Sequence, residues 1–412
     1  MITFDEALRA VLKQARRQPA GKIPLGESVG CVLAREMKAD RNLPPFHRST
    51  MDGYAVRATD VQHSRVTLMV QGTIRPGEAL RARLKARHCM KIMTGAPLPP
   101  GADAVVMVED SEAAEKGRVH LCGPVEEWEN VARQGEDIRK GHVVLRRGTV
   151  INAAANGLLA TVGAVSVPVY RPPRAAVLIT GEEIVPPGAT PRPSEIRDSN
   201  SAIIASRLKE LPVTLDLLGT SPDNPRALKW LIQQGLKREV VLISGGISMG
   251  DYDYVPEVLK KLQARIIVHR VAIKPGRPFL FARGPKGQYV FGLPGNPVSV
   301  LVCMEEFVIP ALRKILGYEA CVPKVWRAVL TAPYSKPGDR MHFALAHLWW
   351  RQERLYAVPV ASHGSGDLVS ATRANGVILV PRRTRKLARG RPVRAHFFGG
   401  AGLLSALQKT AR

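Results

Sequence analysis

Between residues 175 and 316, short apolar runs alternate with stretches of helical periodicity, and no other feature constrains the fold as tightly. The runs 175–180, 213–218, 240–243, 266–268 and 289–291 have the length and apolar character of buried strands. Between them, 199–211 (with Ile203, Ile204 and Leu208), 226–236 and 254–262 carry helical spacing, and 297–316 reads as one long closing helix. Strands alternating with helices predict a doubly wound α/β domain, with its ligands at the carboxyl ends of the strands.

The flanking texture differs. Thr3 and Glu6 have the spacing of a capping box, and Phe4, Leu8, Val11 and Leu12 share one face of the helix that would follow. The rest of the first 40 residues turns extended. From about Asn42, Pro and Gly turns separate short β-type runs (66–70, 104–108, 143–145), the pattern of a small, mostly-β insertion. Residues 153–161 are helical again, and Arg171-Pro-Pro-Arg174 marks a boundary. After Gly317 short strands resume, as in a small β-barrel or sandwich. A chain of 412 residues, 45% of them hydrophobic, is long for one domain. The expected division is a discontinuous helical and extended N-terminal domain (1–41 and 138–170), a mostly-β insertion (42–137), the α/β domain (171–320) and a small C-terminal β-barrel (321–412).

Composition narrows the setting. Cys31, Cys89, Cys122, Cys303 and Cys321 are scattered without a C-x-x-C pair, which argues against a disulfide framework or a structural zinc and suits a reducing cytoplasm. Acids near the start and the lack of a following apolar core exclude a signal peptide, and no run reaches membrane-spanning length. The net charge is +25, and residues 321–412 hold 16 Lys and Arg against 3 Asp and Glu. The densest run is Arg382, Arg383, Arg385, Lys386, Arg389, Arg391 and Arg394. Such a face attracts anions in general. Without interleaved aromatics or a nucleic-acid motif it reads as a solvated basic surface, and nucleic acid is not an expected partner.

Three segments sit where the α/β fold places chemistry. The first strand runs into Thr180-Gly-Glu-Glu183, the third into Ser244-Gly-Gly-Ile-Ser-Met-Gly-Asp-Tyr-Asp253, and the last into Gly292-Leu-Pro-Gly-Asn-Pro297. Glycines let backbone approach a ligand closely, and free N–H groups at a helix start cradle phosphate. Asp251 and Asp253 suit a hard divalent cation, and Lys274 and Arg277 add positive charge. Singly, each feature is an ordinary turn, N-cap or surface cation. Together they point to a phosphate-bearing substrate and magnesium.

Ser244-Gly-Gly246 with Gly250-Asp-Tyr-Asp253, Ile273-Lys-Pro-Gly-Arg-Pro278 and Gly292-Leu-Pro-Gly-Asn-Pro297 resemble the molybdopterin-binding domain shared by MoeA, gephyrin and adenylyltransferase relatives. Thr50-Met-Asp-Gly-Tyr-Ala-Val56, Lys91-Ile-Met-Thr-Gly-Ala-Pro97, Gly101-Ala-Asp-Ala-Val-Val-Met107 and Gly135-Glu-Asp137 resemble N-terminal motifs of the MoeA-type molybdenum insertases, and Ser365-Gly-Asp-Leu-Val-Ser-Ala-Thr-Arg-Ala-Asn-Gly376 resembles their C-terminal domain. The motifs span nearly the whole chain in the family's order.

The resemblance implies insertion of molybdate into adenylylated molybdopterin with release of AMP, in a homodimer with composite sites. It assigns Asp52, Thr94, Glu183, Asp253 and Lys274 to catalysis, and Glu183, Asp223 and Asp253 to magnesium. Asp137, Asp198, Asn200, Ser244, Gly245, Gly246, Ser248, Gly250, Arg270, Arg277, Pro294, Gly295, Asn296 and Pro297 would bind substrate. Transient contacts with the adenylyltransferase and apo-molybdoenzymes are further implied partners. At Glu182 the chain departs from the family's usual Asp, leaving Glu183 as the family acid of that loop. Two rivals share parts of the pattern. An adenylyltransferase-like enzyme would lack the N-terminal motifs, and a gephyrin-like scaffold would carry an extra N-terminal domain and linker.

Overall fold

The computed structural model describes residues 1–78, 82–248, 253–336, 338–400 and 402. They fall into two compact units, one of residues 1–34, 148–152 and 166–412, the other of residues 35–147 and 153–165.

The second unit is built on a six-stranded sheet ordered Ala104–Met107, Gly53–Val56, His88–Ile92, Arg65–Ile74, Arg118–Cys122 and Ser111–Ala114. Strand alternation decides its two faces. Ala55, Ile92 and Val105 pack on one side, while Val56, Cys89, Ala104 and Val106 pack on the other.

In the first unit, helix α1 (Phe4–Gln14) opens as the capping box requires: the Glu6 N–H donates to Thr3 Oγ1 at 3.3 Å, and the Thr3 N–H to Glu6 Oε2 at 2.8 Å. Helix α2 (Ala153–Thr161), in the other unit, has the expected bounds. The α/β sheet contains β1 (Arg174–Thr180), β2 (Thr214–Ser221), β3 (Val240–Ser244), β4 (Arg265–His269), β6 (Leu280–Arg283) and β7 (Tyr289–Leu293), in the spatial order β2-β1-β3-β7-β6-β4; β5 (Ile273–Lys274) lies outside it. The first four in that order are parallel, and β6 runs antiparallel to both its neighbours, β7 and β4.

Helices cover both faces. Val177, Ile179 and Leu242 face α1, α3 (Asn200–Leu208) and the segment 297–316, whereas Leu178, Val241 and Ile243 face α4 (Pro225–Gly235) and α5 (Val255–Lys261). Each fully buried Phe of this core (Phe279, Phe281, Phe291, Phe307) contributes about 1.5–3 kcal/mol of burial.

Three local departures have physical causes. Helix α3 ends at Leu208 rather than 211, because Pro212 disfavours helical backbone at the residue before it. Strand β6 goes unanticipated: its four residues, closed off by Gly284, are too few to show periodicity, and it forms by hairpin pairing to β7. The closing helix is α6 (Pro297–Cys303), a π turn over Met304–Val308, and α7 (Ile309–Ile315). Pro310 has no N–H to offer the Glu306 carbonyl, which suits a local change of hydrogen-bond pattern.

The C-terminal region is a closed barrel of β8 (Trp326–Leu330), β9 (Met341–Arg351), β10 (Arg354–Pro359), β11 (Gly376–Val380) and β12 (Pro392–Phe397). Pairing of β9 with β11 closes it, and β5 adds in parallel to β9, joining Lys274 to His342 in register. The exposed run from Arg382 to Arg394 lies on this barrel, where Arg382 pairs with Asp339 at 3.0 Å.

Candidate active site

Strands β1, β3 and β7 are neighbours and parallel, so their following loops meet at one carboxyl edge. Close packing there demands glycine. A Cβ on Gly245 (φ +92°) would stand 2.5 Å from Thr180 Oγ1, and Gly246 (φ +64°) is in the same left-handed region. The Asn200 side chain staples two of the loops, donating from Nδ2 to Ser244 Oγ at 2.9 Å and to the Gly295 carbonyl at 2.7 Å. Ser244 Oγ in turn donates to the Pro294 carbonyl at 3.1 Å. Asn200 and Ser244 therefore hold the loops in place, and Asn200 Oδ1 remains buried without a protein partner.

These loops enclose a cavity of about 350 Å³ lined by Glu183, Asp223, Ser244, Gly245, Gly246, Ser248, Asp253, Pro294, Gly295 and Asn296. Burial, and then the charges of Glu183, Glu182 and Asp253, raise the Asp223 carboxyl above its ordinary range, although the Glu182 N–H bonded to it acts in the opposite sense. Among the described residues, no three His, Cys, Asp or Glu are grouped closely enough to hold a metal ion by themselves.

Ser248, Pro294, Gly295 and Asn296 also border a larger cleft of about 770 Å³, whose other wall is the barrel. Lys274 and Arg277 line it beside Arg340, His342 and Ser365, and Asn296 Nδ2 donates to Ser365 Oγ at 2.7 Å. Burial, with Lys274, Lys336 and Arg340 adding to it, pushes His342 down to about 4, so its ring is neutral at pH 7. Its Nδ1 hydrogen-bonds the Tyr334 hydroxyl at 2.6 Å, and burial pushes that hydroxyl up to about 12. Arg340, His342 and Tyr334 escape sequence reasoning. They stand on a barrel whose strands give no sign of which end faces the α/β loops. Only the resemblance carried by the motif at Ser365 points there.

Other expected residues lie elsewhere. Asp198 Oδ1 accepts the Ser201 N–H at 2.9 Å and caps the start of α3. Arg270, at φ +70°, borders neither cavity, and its Nη2 is buried without a partner. Pro297 occupies the first turn of α6 and also lines neither cavity. Gly250, like Asp251, lies outside the described residues. In the second unit, Asp52 Oδ1 accepts the Thr94 N–H at 2.7 Å and the Thr94 hydroxyl at 3.1 Å, so two separate motifs meet in one exposed pair. Asp137 is in a different, exposed loop, its N–H bonded to the Leu43 carbonyl at 3.0 Å.

Glycine-lined anion cradles beside clustered carboxylates and a basic cleft suit an enzyme that handles a phosphate-bearing anion. Comparison with known proteins agrees and is more specific. Residues 2–163 match the MoeA N-terminal region (domain I and II), 176–314 a probable molybdopterin binding domain, and 327–398 the MoeA C-terminal region (domain IV). The chain is 33% identical to a molybdopterin molybdenumtransferase of Bacillus subtilis, over 95% of this chain and 93% of that one. It is 32% identical to one of Staphylococcus epidermidis, over 94% of each. A solved structure of a molybdopterin biosynthesis MoeA protein from Pyrococcus horikosii superposes with a TM-score of 0.80 at 32% identity, covering 97% of this chain and all of that one. The chain belongs to the MoeA family, and it is a transferase.

Proposed function

We propose that this transferase inserts molybdate into adenylylated molybdopterin and releases AMP, completing the molybdenum cofactor. The observation that carries the reading is the convergence of three loops and their acids at one carboxyl edge, open to a cleft bearing Lys274 and Arg277. The molybdenumtransferase relatives supply the metal's identity.

Magnesium fits the donor set. Glu183, Asp223 and Asp253 are hard oxygen donors; burial first, and then repulsion from Glu183, Glu182 and Asp253, raises Asp223, and a divalent cation would relieve that repulsion. They would hold the ion in part, since magnesium keeps several waters and needs no closed protein cage. When bound, it neutralises charge on the phosphoanhydride oxygens.

The chain's own residues do the rest. Lys274 and Arg277 hold oxyanions of substrate phosphate or molybdate by charge-assisted bonds. Gly245, Gly246 and Gly295 let backbone approach the substrate, and Asn200 fixes their spacing. Neutral His342 stands in the basic wall without adding charge. In this reading the protein is a homodimer, and the exposed Asp52–Thr94 pair of one subunit completes the site of the other.

The test is incubation of the pure protein with adenylylated molybdopterin, magnesium and molybdate. Equimolar AMP and active cofactor are expected. A requirement for ATP, with pyrophosphate released, would redirect the assignment to the preceding adenylyl-transfer step, and AMP release without cofactor would show hydrolysis in place of insertion.

A further inference from the structure

We propose that a basin at the amino-terminal edge of the α/β sheet, opposite the candidate active site, binds a small phosphate-bearing anion of two or more negative charges. The basin has a volume of about 830 Å³, enough for a nucleotide-sized ligand. Its lining includes Arg16, Arg17, Lys237, Arg238, Arg283 and Lys286.

A plain structural explanation covers part of this charge. Arg16 and Arg17 follow the end of α1, and Lys237 and Arg238 the end of α4, where cations offset roughly half an elementary charge per helix. Arg238 is also paired with Asp216, and Lys237 Nζ donates to Gln234 Oε1 at 2.6 Å. The acid in the lining, Glu239, is committed through Oε2 to the Arg174 N–H at 2.9 Å.

Arg283 and Lys286 have no such account. Among the described residues, no carboxylate pairs with Arg16, Arg17, Arg283 or Lys286. The Arg283 guanidinium lies 3.9 Å from the Tyr289 ring centroid, which fixes its plane, and its Nη1 is buried without a hydrogen-bond partner. A guanidinium whose plane is fixed at the basin wall, with a fork of N–H donors, matches a phosphate oxygen. Lys286 stands on the β6–β7 hairpin, which is already braced: the Gly284 N–H donates to the Gln288 carbonyl at 2.9 Å, and Gln288 Nε2 to the Leu236 carbonyl at 2.7 Å. The concave, preorganised shape favours a compact ligand over an extended acidic chain.

The experiment is calorimetric titration of full-length Arg277→Ala protein, which weakens the candidate active site, with inorganic pyrophosphate, AMP and hexaglutamate. A saturable event with pyrophosphate or AMP is expected, and the tighter of the two identifies an inorganic or a nucleotide source. Added singly, Arg283→Gln and Lys286→Glu should each weaken it roughly tenfold or more. In the otherwise native chain both should leave turnover at saturating substrate unchanged. Lys286→Glu alters an exposed hairpin residue and keeps the test valid should Arg283→Gln fail to fold. Absence of binding, affinity unaffected by either variant, or hexaglutamate binding as tightly as the phosphates would overturn the proposal.

Discussion

Single residues at the carboxyl edge carry separable duties. Asp253 lines the acid-bearing cavity and Asp52 holds Thr94, so Asp253→Ala and Asp52→Ala should each lower insertion by about 100-fold or more while circular dichroism stays native. Near-normal turnover in both would remove these residues from the site. Gly245 has a structural duty. Gly245→Ala should cost about 1–3 kcal/mol in urea unfolding, from its left-handed backbone and the clash with Thr180. Asp223 should announce itself through pH. Its carboxyl is raised, so it takes up a proton at higher pH than an ordinary aspartate, and magnesium affinity should fall as pH drops through that raised value. Asp223→Asn should flatten the profile; an unchanged profile would show that Asp223 does not face the ion.

At the scale of elements, the π turn brings two adjacent acids inward. Glu305 faces Arg207 Nε of α3 at 2.5 Å, and Glu306 meets His396 Nε2 of β12 at 2.6 Å, all four side chains being buried. The turn thus ties the α/β domain to the barrel through charge. Burial pulls His396 down, but Glu306, the Phe397 carbonyl and Glu305 outweigh it, and the net shift is upward. Burial raises Glu305 as well. Both folded-state values lie above their unfolded ones. The His396 contribution is therefore fully present below the unfolded histidine value, about 6.5, and is lost as pH rises through the folded value, whereas the Glu305 contribution begins to be lost above the unfolded carboxyl value, about 4.3. The melting temperature should fall as pH is raised across that window, and His396→Ala should remove the histidine part of the slope. That substitution should also destabilise by about 3–5 kcal/mol, because it leaves Glu306 buried and unpaired.

For the whole molecule, the dimeric reading makes a complementation test available. Mixing Asp52→Ala with Asp253→Ala protein should restore part of the activity, since hybrid dimers rebuild one intact site. A fully active monomer in sedimentation would contradict it. The charge excess gives a second test at this scale. The run from Arg382 to Arg394 is exposed and lines neither site cavity, so neutralising Arg382, Arg383 and Arg385 should leave turnover at saturating substrate unchanged. A large loss in the low-substrate rate, quenched by salt as the Debye length falls to roughly 3 Å at 1 M, would show steering by that face.

The sequence by itself determined what is local. The α1 capping box, the strand–helix alternation of 175–316, the glycines at strand ends and the pairing of motifs at Asp52 and Thr94 with a known family are all written within a few residues of one another. Tertiary structure decided what depends on distant neighbours. It gave β6 its place through a hairpin partner, made Asn200 a staple between loops at the wall of the acid-bearing cavity, and left Arg270 away from the cleft. It also set Arg340 and His342 of the barrel against Lys274, through strand pairing across nearly 70 residues of chain. Periodicity and turn chemistry act over one element at a time, whereas a cleft between a sheet edge and a barrel exists only once both have closed.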